Sequence, residues 1–184
     1  MTSFKKYNMA DNTQLLETYR ANRKVTDAEV FKMVNSSFLF NLYLLNKLPM
    51  GFIAGLNVKS CDANQCQITV PYRYINQNPF RSTYFAVLAM AAEMSTGMLG
   101  VLATHKAKPS ISMLVTHLEA DFVKKATGIT TFTCSQGKEL TASVEEAILT
   151  GAGTTFEALS IGTSEKGEEE ARFRVQWSFK ARLK

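Results

Sequence analysis

The stretch Ser82-Thr83-Tyr84-Phe85-Ala86-Val87-Leu88-Ala89-Met90-Ala91-Ala92-Glu93-Met94-Ser95-Thr96-Gly97-Met98-Leu99-Gly100-Val101-Leu102-Ala103 decides how this chain folds. It reads as a helix that is apolar nearly all round. Such a helix is buried on every side or lies in a membrane. It is just long enough to span a bilayer. Glu93, Ser95 and Thr96 sit in its middle, however, and a carboxylate at mid-bilayer is costly. The helix is therefore read as the core of a domain rather than a membrane span.

The chain around it is β-rich. Leu56-Asn57-Val58-Lys59 and Gln67-Ile68-Thr69-Val70-Pro71-Tyr72 alternate on either side of Asp62-Ala63-Asn64, which makes a hairpin. Asn76-Gln77-Asn78-Pro79-Phe80 is loop chemistry, and Ser82 is a plausible N-cap for the helix. Downstream, Ile111–Phe122 reads as a long strand. Leu114, Leu118 and Phe122 fall on one face, His117, Glu119 and Asp121 on the other. Strands follow at Ile129–Cys134 and Thr154–Thr163. Between them, Leu140, Val144, Ala147 and Ile148 mark a short amphipathic helix. The last strand alternates most clearly, with Ala171, Phe173, Val175, Trp177, Phe179, Ala181 and Leu183 facing one way and Arg172, Arg174, Gln176, Ser178, Lys180 and Arg182 the other. The order hairpin, apolar helix, strands excludes a doubly wound fold, which needs helices between its strands. An α+β fold satisfies it, with a curved antiparallel sheet wrapped around the helix. One curved sheet covers such a helix only partly, so a homodimer, or a dimer of dimers, is expected to cover the rest.

Residues 1–49 are read as an N-terminal helical extension packed on the core, and 50–184 as the sheet-and-helix domain. A short helical pattern surrounds Leu15-Leu16-Glu17-Thr18-Tyr19. Thr26-Asp27-Ala28-Glu29 then reads as a capping box. It opens a helix with the stripe Phe31, Val34, Phe38, Leu42 and Leu45, which Pro49 and Gly51 should stop.

Composition narrows the class. The 184 residues are 46% hydrophobic and 20% charged, with Gly 10 and Pro 4, so disordered and fibrous chains are out. The net charge of +5 is a mild basic bias that suits an anionic ligand. It lacks the dense basic patch of a nucleic-acid binder. Cys61, Cys66 and Cys134 are odd in number with no C-x-x-C pair, which points to reduced thiols and a cytoplasmic setting. Met1–Asn8 is charged with no apolar run behind it, so no secretory signal is read there.

The segments Asn76–Phe85 and Ala92-Glu93-Met94-Ser95-Thr96-Gly97 resemble the hotdog-fold thioesterase superfamily. There a loop leads into the central helix, and an acidic residue sits about two turns in. Ala120-Asp121-Phe122-Val123-Lys124-Lys125-Ala126 resembles the superfamily's strand after that helix. The nearest subgroup by resemblance is the thioesterase-like family typified by the C-terminal domain of YiiD, near the PaaI-like enzymes of phenylacetate metabolism. The resemblance implies hydrolysis of an acyl thioester, acyl-CoA above all. It implies that Glu93 is the general base or nucleophile, and that Asn78 orients water or the thioester. Many PaaI-like enzymes carry His-Gly-Gly where this chain has Thr83-Tyr84-Phe85.

The residues themselves allow that chemistry. Glu93 can activate water or attack directly. The helix start, with Ser82, Tyr84 and Phe85, offers unpaired N–H groups and a positive dipole end to a carbonyl. Thr96 lies on the same side as Glu93 and can position water or only bond back to its own helix. Glu93 can alternatively serve as a buried ion-pair partner. His105 and His117 are not spaced as metal ligands, so no metal and no cofactor is called for. No G-x-S-x-G elbow and no P-loop occurs. A second reading is a non-enzymatic acyl- or lipid-binding module, to which the bulky Tyr84-Phe85 pair leans.

Overall fold

The computed structural model describes residues 9–182; Met1–Asn8 and Leu183–Lys184 lie outside the described residues. At its centre is α4, Phe85–Thr104. Val87, Leu88, Ala91, Ala92, Met98, Leu99 and Leu102 are among its many buried side chains, so this apolar helix is the core helix. A six-stranded sheet in the order β1-β2-β4-β5-β6-β3 packs around it, every pairing antiparallel. The strands are β1 Asn57–Cys61, β2 Cys66–Pro71, β3 Ile111–Phe122, β4 Ile129–Cys134, β5 Thr154–Thr163 and β6 Glu169–Ala181. β6 alternates as its sequence dictates, burying Ala171, Phe173, Val175, Trp177, Phe179 and Ala181. On its other face Arg174 pairs with Glu119 and Asp121. The amphipathic helix α5, Gly137–Thr150, buries Leu140, Val144, Ala147 and Ile148.

Strand β3 departs from simple alternation. Its register against β6 slips between Val115 and His117, a β-bulge. The extra residue reverses the alternation. Leu114 opposes Ser178 on the outer face, while Leu118 and Phe122 oppose the buried Val175 and Ala171. The three do not share a face. Leu118 and Phe122 remain exposed although they point to the core side, because β3 is the sheet's edge strand.

Three helices precede the sheet, and their boundaries differ from expectation. α1 runs unbroken over Met9–Val34, so Thr26 caps nothing; it lies mid-helix and bonds back to the Asn22 carbonyl at 3.4 Å. The break falls at Ser36, which caps α2, Ser37–Lys47, by accepting the Leu39 N–H at 3.4 Å. The turn between them rotates the stripe out of register. Val34 is buried, but Phe38, Leu42 and Leu45 are exposed, and α2 buries Phe40 and Leu44 instead. α2 ends at Lys47, before Pro49 as expected, but Gly51 stops nothing: Pro49 opens a short helix α3, Pro49–Ala54, that Gly55 ends at φ 76. Pro at a first helical turn loses no hydrogen bond, since its N–H would have been unpaired there.

Helix α1 is tied to the ends of two other helices. Tyr19 Oη donates to the Ala103 carbonyl at 2.8 Å in the last turn of α4. Asn12 Nδ2 donates to the Leu149 carbonyl at 2.8 Å in the last turn of α5, and Asn22 Nδ2 to the Lys106 carbonyl at 2.8 Å. The last carbonyls of a helix have no partner within it, and α1 supplies partners from outside. Arg20 adds a two-pronged contact to Glu145. Burial pushes the Tyr19 phenol up to about 12. Tyr19→Phe should therefore cost about 1–2 kcal/mol, because it strands a buried carbonyl. A urea unfolding midpoint equal to wild type would show the bond to be dispensable.

Candidate functional site

The loop before α4 is built from side chains. Asn76 Nδ2 donates to the carbonyls of Ala54 and Pro71, both at 2.8 Å, which ties the loop to α3 and β2. Asn78 Oδ1 accepts from the N–H of Phe80 at 2.9 Å and of Ser82 at 3.3 Å, and Asn78 Nδ2 donates to Ser82 Oγ at 3.0 Å. Thr83 donates twice to the Ala126 carbonyl. Asn78 and Ser82 thus shape the loop, and the helix cap falls at Tyr84 rather than Ser82, with no side-chain bond to the first turn. Among the described residues the N–H groups of Phe85 and Ala86 have no acceptor. At this helix start lies a hollow of about 550 Å³ lined by Asn78, Ser82, Tyr84, Phe85, Phe122 and Lys124 with their neighbours. Its aromatic rim is continuous: Tyr84 lies edge-on to Phe85 at 4.8 Å, and Phe85 to Phe122 at 6.4 Å.

Glu93 lies further along α4, half-buried, with no hydrogen bond or ion pair to its carboxylate among the described residues. Loss of water pushes its pKa above the ordinary carboxylate value, and no neighbouring group opposes this. The expected ion-pair alternative finds no partner among those residues. Glu93 lines two adjoining depressions of about 200 and 300 Å³. A methyl group placed on Gly97 would come within 3.3 Å of both Glu93 Oε1 and Trp177 Cζ2, so these three groups meet at one point. Thr96 Oγ1 accepts from Trp177 Nε1 at 2.9 Å and donates to the Glu93 carbonyl at 2.9 Å. Both bonding directions of that hydroxyl are used to hold the indole in place. Tyr43 of α2 reaches the same region; burial raises its phenol, and the Glu93 charge raises it further.

The six expected residues therefore fall into two groups. Asn78, Ser82, Tyr84 and Phe85 gather at the start of α4, Glu93 and Thr96 two turns on. Glu93 lies eight positions beyond Phe85, roughly 12 Å of helix. The sequence reading passed over Gly97, Trp177, Tyr43 and Leu48. Only Gly97 gave a signal, since a glycine inside a helix costs about 1 kcal/mol against alanine and calls for a reason. The others meet only through tertiary packing.

An antiparallel sheet wrapped around a buried central helix is the hotdog fold. The chain belongs to the family described as a domain of unknown function, DUF4442, whose model matches residues 37–178. Among solved structures it is similar to a Pseudomonas aeruginosa protein of unknown function described as a probable thioesterase, with TM-score 0.65 and 17% identity over 77% of this chain and 94% of that one. It is also similar to a Chlorobaculum tepidum protein of unknown function, with TM-score 0.65 and 15% identity over 82% and 99%. A thioesterase of Haemophilus influenzae follows, with TM-score 0.56 and 11% identity over 81% and 93%. At such identities the likeness is one of fold. No curated protein matches the sequence.

The raised Glu93 pKa has a stability consequence. A carboxyl held above its ordinary value binds its proton more tightly when folded. That stabilises the fold fully below the ordinary carboxylate pKa, and the margin is lost as pH rises through the raised value. Glu93→Gln removes the penalty of a desolvated charge. Its unfolding midpoint should exceed wild type at about pH 7, and the difference should vanish toward about pH 4. A variant less stable than wild type at neutral pH would mean that the carboxylate has a favourable partner.

Proposed function

We propose that the chain hydrolyses acyl thioesters, acyl-CoA in particular, with Glu93 as the general base or nucleophile. The observation that carries this is the half-buried carboxylate, unpartnered among the described residues, at the meeting point of Gly97 and Trp177. A carboxyl whose pKa burial raises is a better proton acceptor than an ordinary one. In the base-catalysed course Glu93 takes a proton from water, and the water oxygen bonds the carbonyl carbon. The C–S bond then breaks, and the thiolate leaves and is protonated. The free N–H groups of Phe85 and Ala86 suit the developing oxyanion. Asn78 and Ser82 hold those donors in position, and Thr96 holds the indole beside the carboxylate. Lys124 and Lys125 line the same hollow and suit the phosphates of coenzyme A.

One chain does not complete this site. A donor and a base sharing one carbonyl stand roughly 6 Å apart, whereas the two groups here are separated by roughly 12 Å of α4. The proposal therefore includes a homodimer, alone or doubled, in which the α4 start of the partner meets Glu93. The exposed edge strand β3 with Leu118 and Phe122 suits that seam. Three free thiols fit a reducing, cytoplasmic setting. The alternative, an acyl-binding module without turnover, is favoured by the aromatic pair at the helix start.

Glu93→Gln decides between them. Turnover of an acyl-CoA panel should fall by about two to four orders of magnitude while a non-hydrolysable acyl-CoA thioether still binds. Wild type that binds the thioether but turns over nothing belongs to the second reading. Leu118→Arg at the edge should give a monomer by sedimentation and remove turnover with it; an active monomer would refute the shared site.

A further inference from the structure

The depressions around Glu93 are parts of one trough. Its floor is a single face of α4, with Glu93, Gly97, Val101 and Thr104 spaced by four, four and three residues. Tyr43 and Leu48 form one wall, and Met113 and Trp177 the other. Beyond Val101 the trough widens into a hollow of about 530 Å³ that shares Tyr43, Leu48 and Val101 and adds Val30, Met33 and His105. It ends at a polar cluster, where Glu29 Oε2 meets Lys106 Nζ at 2.7 Å and His105 Nε2 at 3.2 Å.

We infer that this trough takes a straight, long aliphatic acyl chain, running from its thioester end at Glu93 toward His105, with Val101 and Thr104 as its length marks. Length and surface both point to such an occupant. From Glu93 to His105 is roughly 18 Å of helix. That matches a zigzag of roughly fourteen C–C bonds of about 1.5 Å. The neck at Gly97 is tight, since one added methyl would reach both the carboxylate and the indole at 3.3 Å. The carboxylate and the indole thus close the floor there, and the acyl chain runs over them rather than between them. Met33, Met94, Met98 and Met113 line the trough and adapt to a chain of variable conformation. The ion cluster at the far end offers nothing to further methylenes, so the useful length is finite. The second wall comes from α2 and the α2–α3 junction. On this reading, the N-terminal helices act in substrate selection. The direction of the chain rests on Glu93 being the reacting end.

Calorimetric binding of saturated acyl-CoA thioethers with four to fourteen carbons, and of the phenylacetyl counterpart, tests this without turnover. Wild-type affinity should rise about three- to fourfold per added methylene, and the phenylacetyl analogue should bind at least about tenfold more weakly than the longest chain. Val101→Phe, roughly 12 Å from Glu93, should stop the rise at about nine carbons; Thr104→Phe, roughly 16 Å away, at about twelve. Each variant is first checked for a wild-type-like melting temperature, and either suffices if the other fails to fold. Affinity independent of length, or variants that weaken all lengths alike, would overturn the inference. Length-dependent binding cut short by these variants, in a protein with no turnover, would uphold it while removing the hydrolase reading. Turnover with flat length dependence would do the reverse.

Discussion

A helix without a polar face has to be enclosed, and everything else in this molecule follows from enclosing α4. The inward rows of β2, β4, β5 and β6 cover one side, α5 adds a second layer, and α1 closes the end. What the protein leaves uncovered is as informative as what it covers. The edge strand β3, the aromatic rim at the start of α4 and the trough beside Glu93 are the places where enclosure by a single chain runs out. These are also the places where chemistry or a partner can enter. Glu93 is the charged group on that helix that lies on such an opening, and among the described residues its desolvated carboxylate has no partner.

Much of this was legible from the residues. Period-two alternation in β6, and the nearly continuous apolar run of α4, each reflect one dominant constraint, burial on one face or on all. Local pattern was then a faithful report of tertiary position. The N-terminal third obeyed two competing constraints, and there the pattern misled. Thr26-Asp27-Ala28-Glu29 has the chemistry of a capping box, but α1 continues through it because Tyr19, Val30 and Val34 on either side are held in the core. Phe38, Leu42 and Leu45 continue the spacing of Phe31 and Val34 on paper. The turn at Asn35 and Ser36 sends them outward, and nothing in their spacing records it. The bulge in β3 is the same kind of event: one unpaired residue reverses every assignment beyond it.

For the candidate site, the residues pointed to a loop and a carboxylate on one helix, and their separation was already implicit in that helix. Helical rise alone places Phe85 and Glu93 roughly 12 Å apart. Under the proposed function, that distance is the reason a second copy of the chain is called for. The polar residues near Glu93 turned out to serve the frame. Thr96 spends both its bonding directions on Trp177 and its own backbone, and Ser95 likewise bonds Ala92 and, at 2.7 Å, Ser160. Neighbouring position in a helix predicts proximity, not availability.

The ties that α1 makes have a temporal side. Its partners, the carbonyls of Ala103, Lys106 and Leu149 and the carboxylate of Glu145, all lie far downstream. During synthesis at roughly 5–20 residues per second, α1 leaves the ribosome on the order of ten seconds before the last of them exists. Helix α1 is thus made well before the groups that seat it. Until then its Tyr19, Val30 and Val34 face solvent on a nascent chain, and the same surface waits again whenever the protein unfolds from that end.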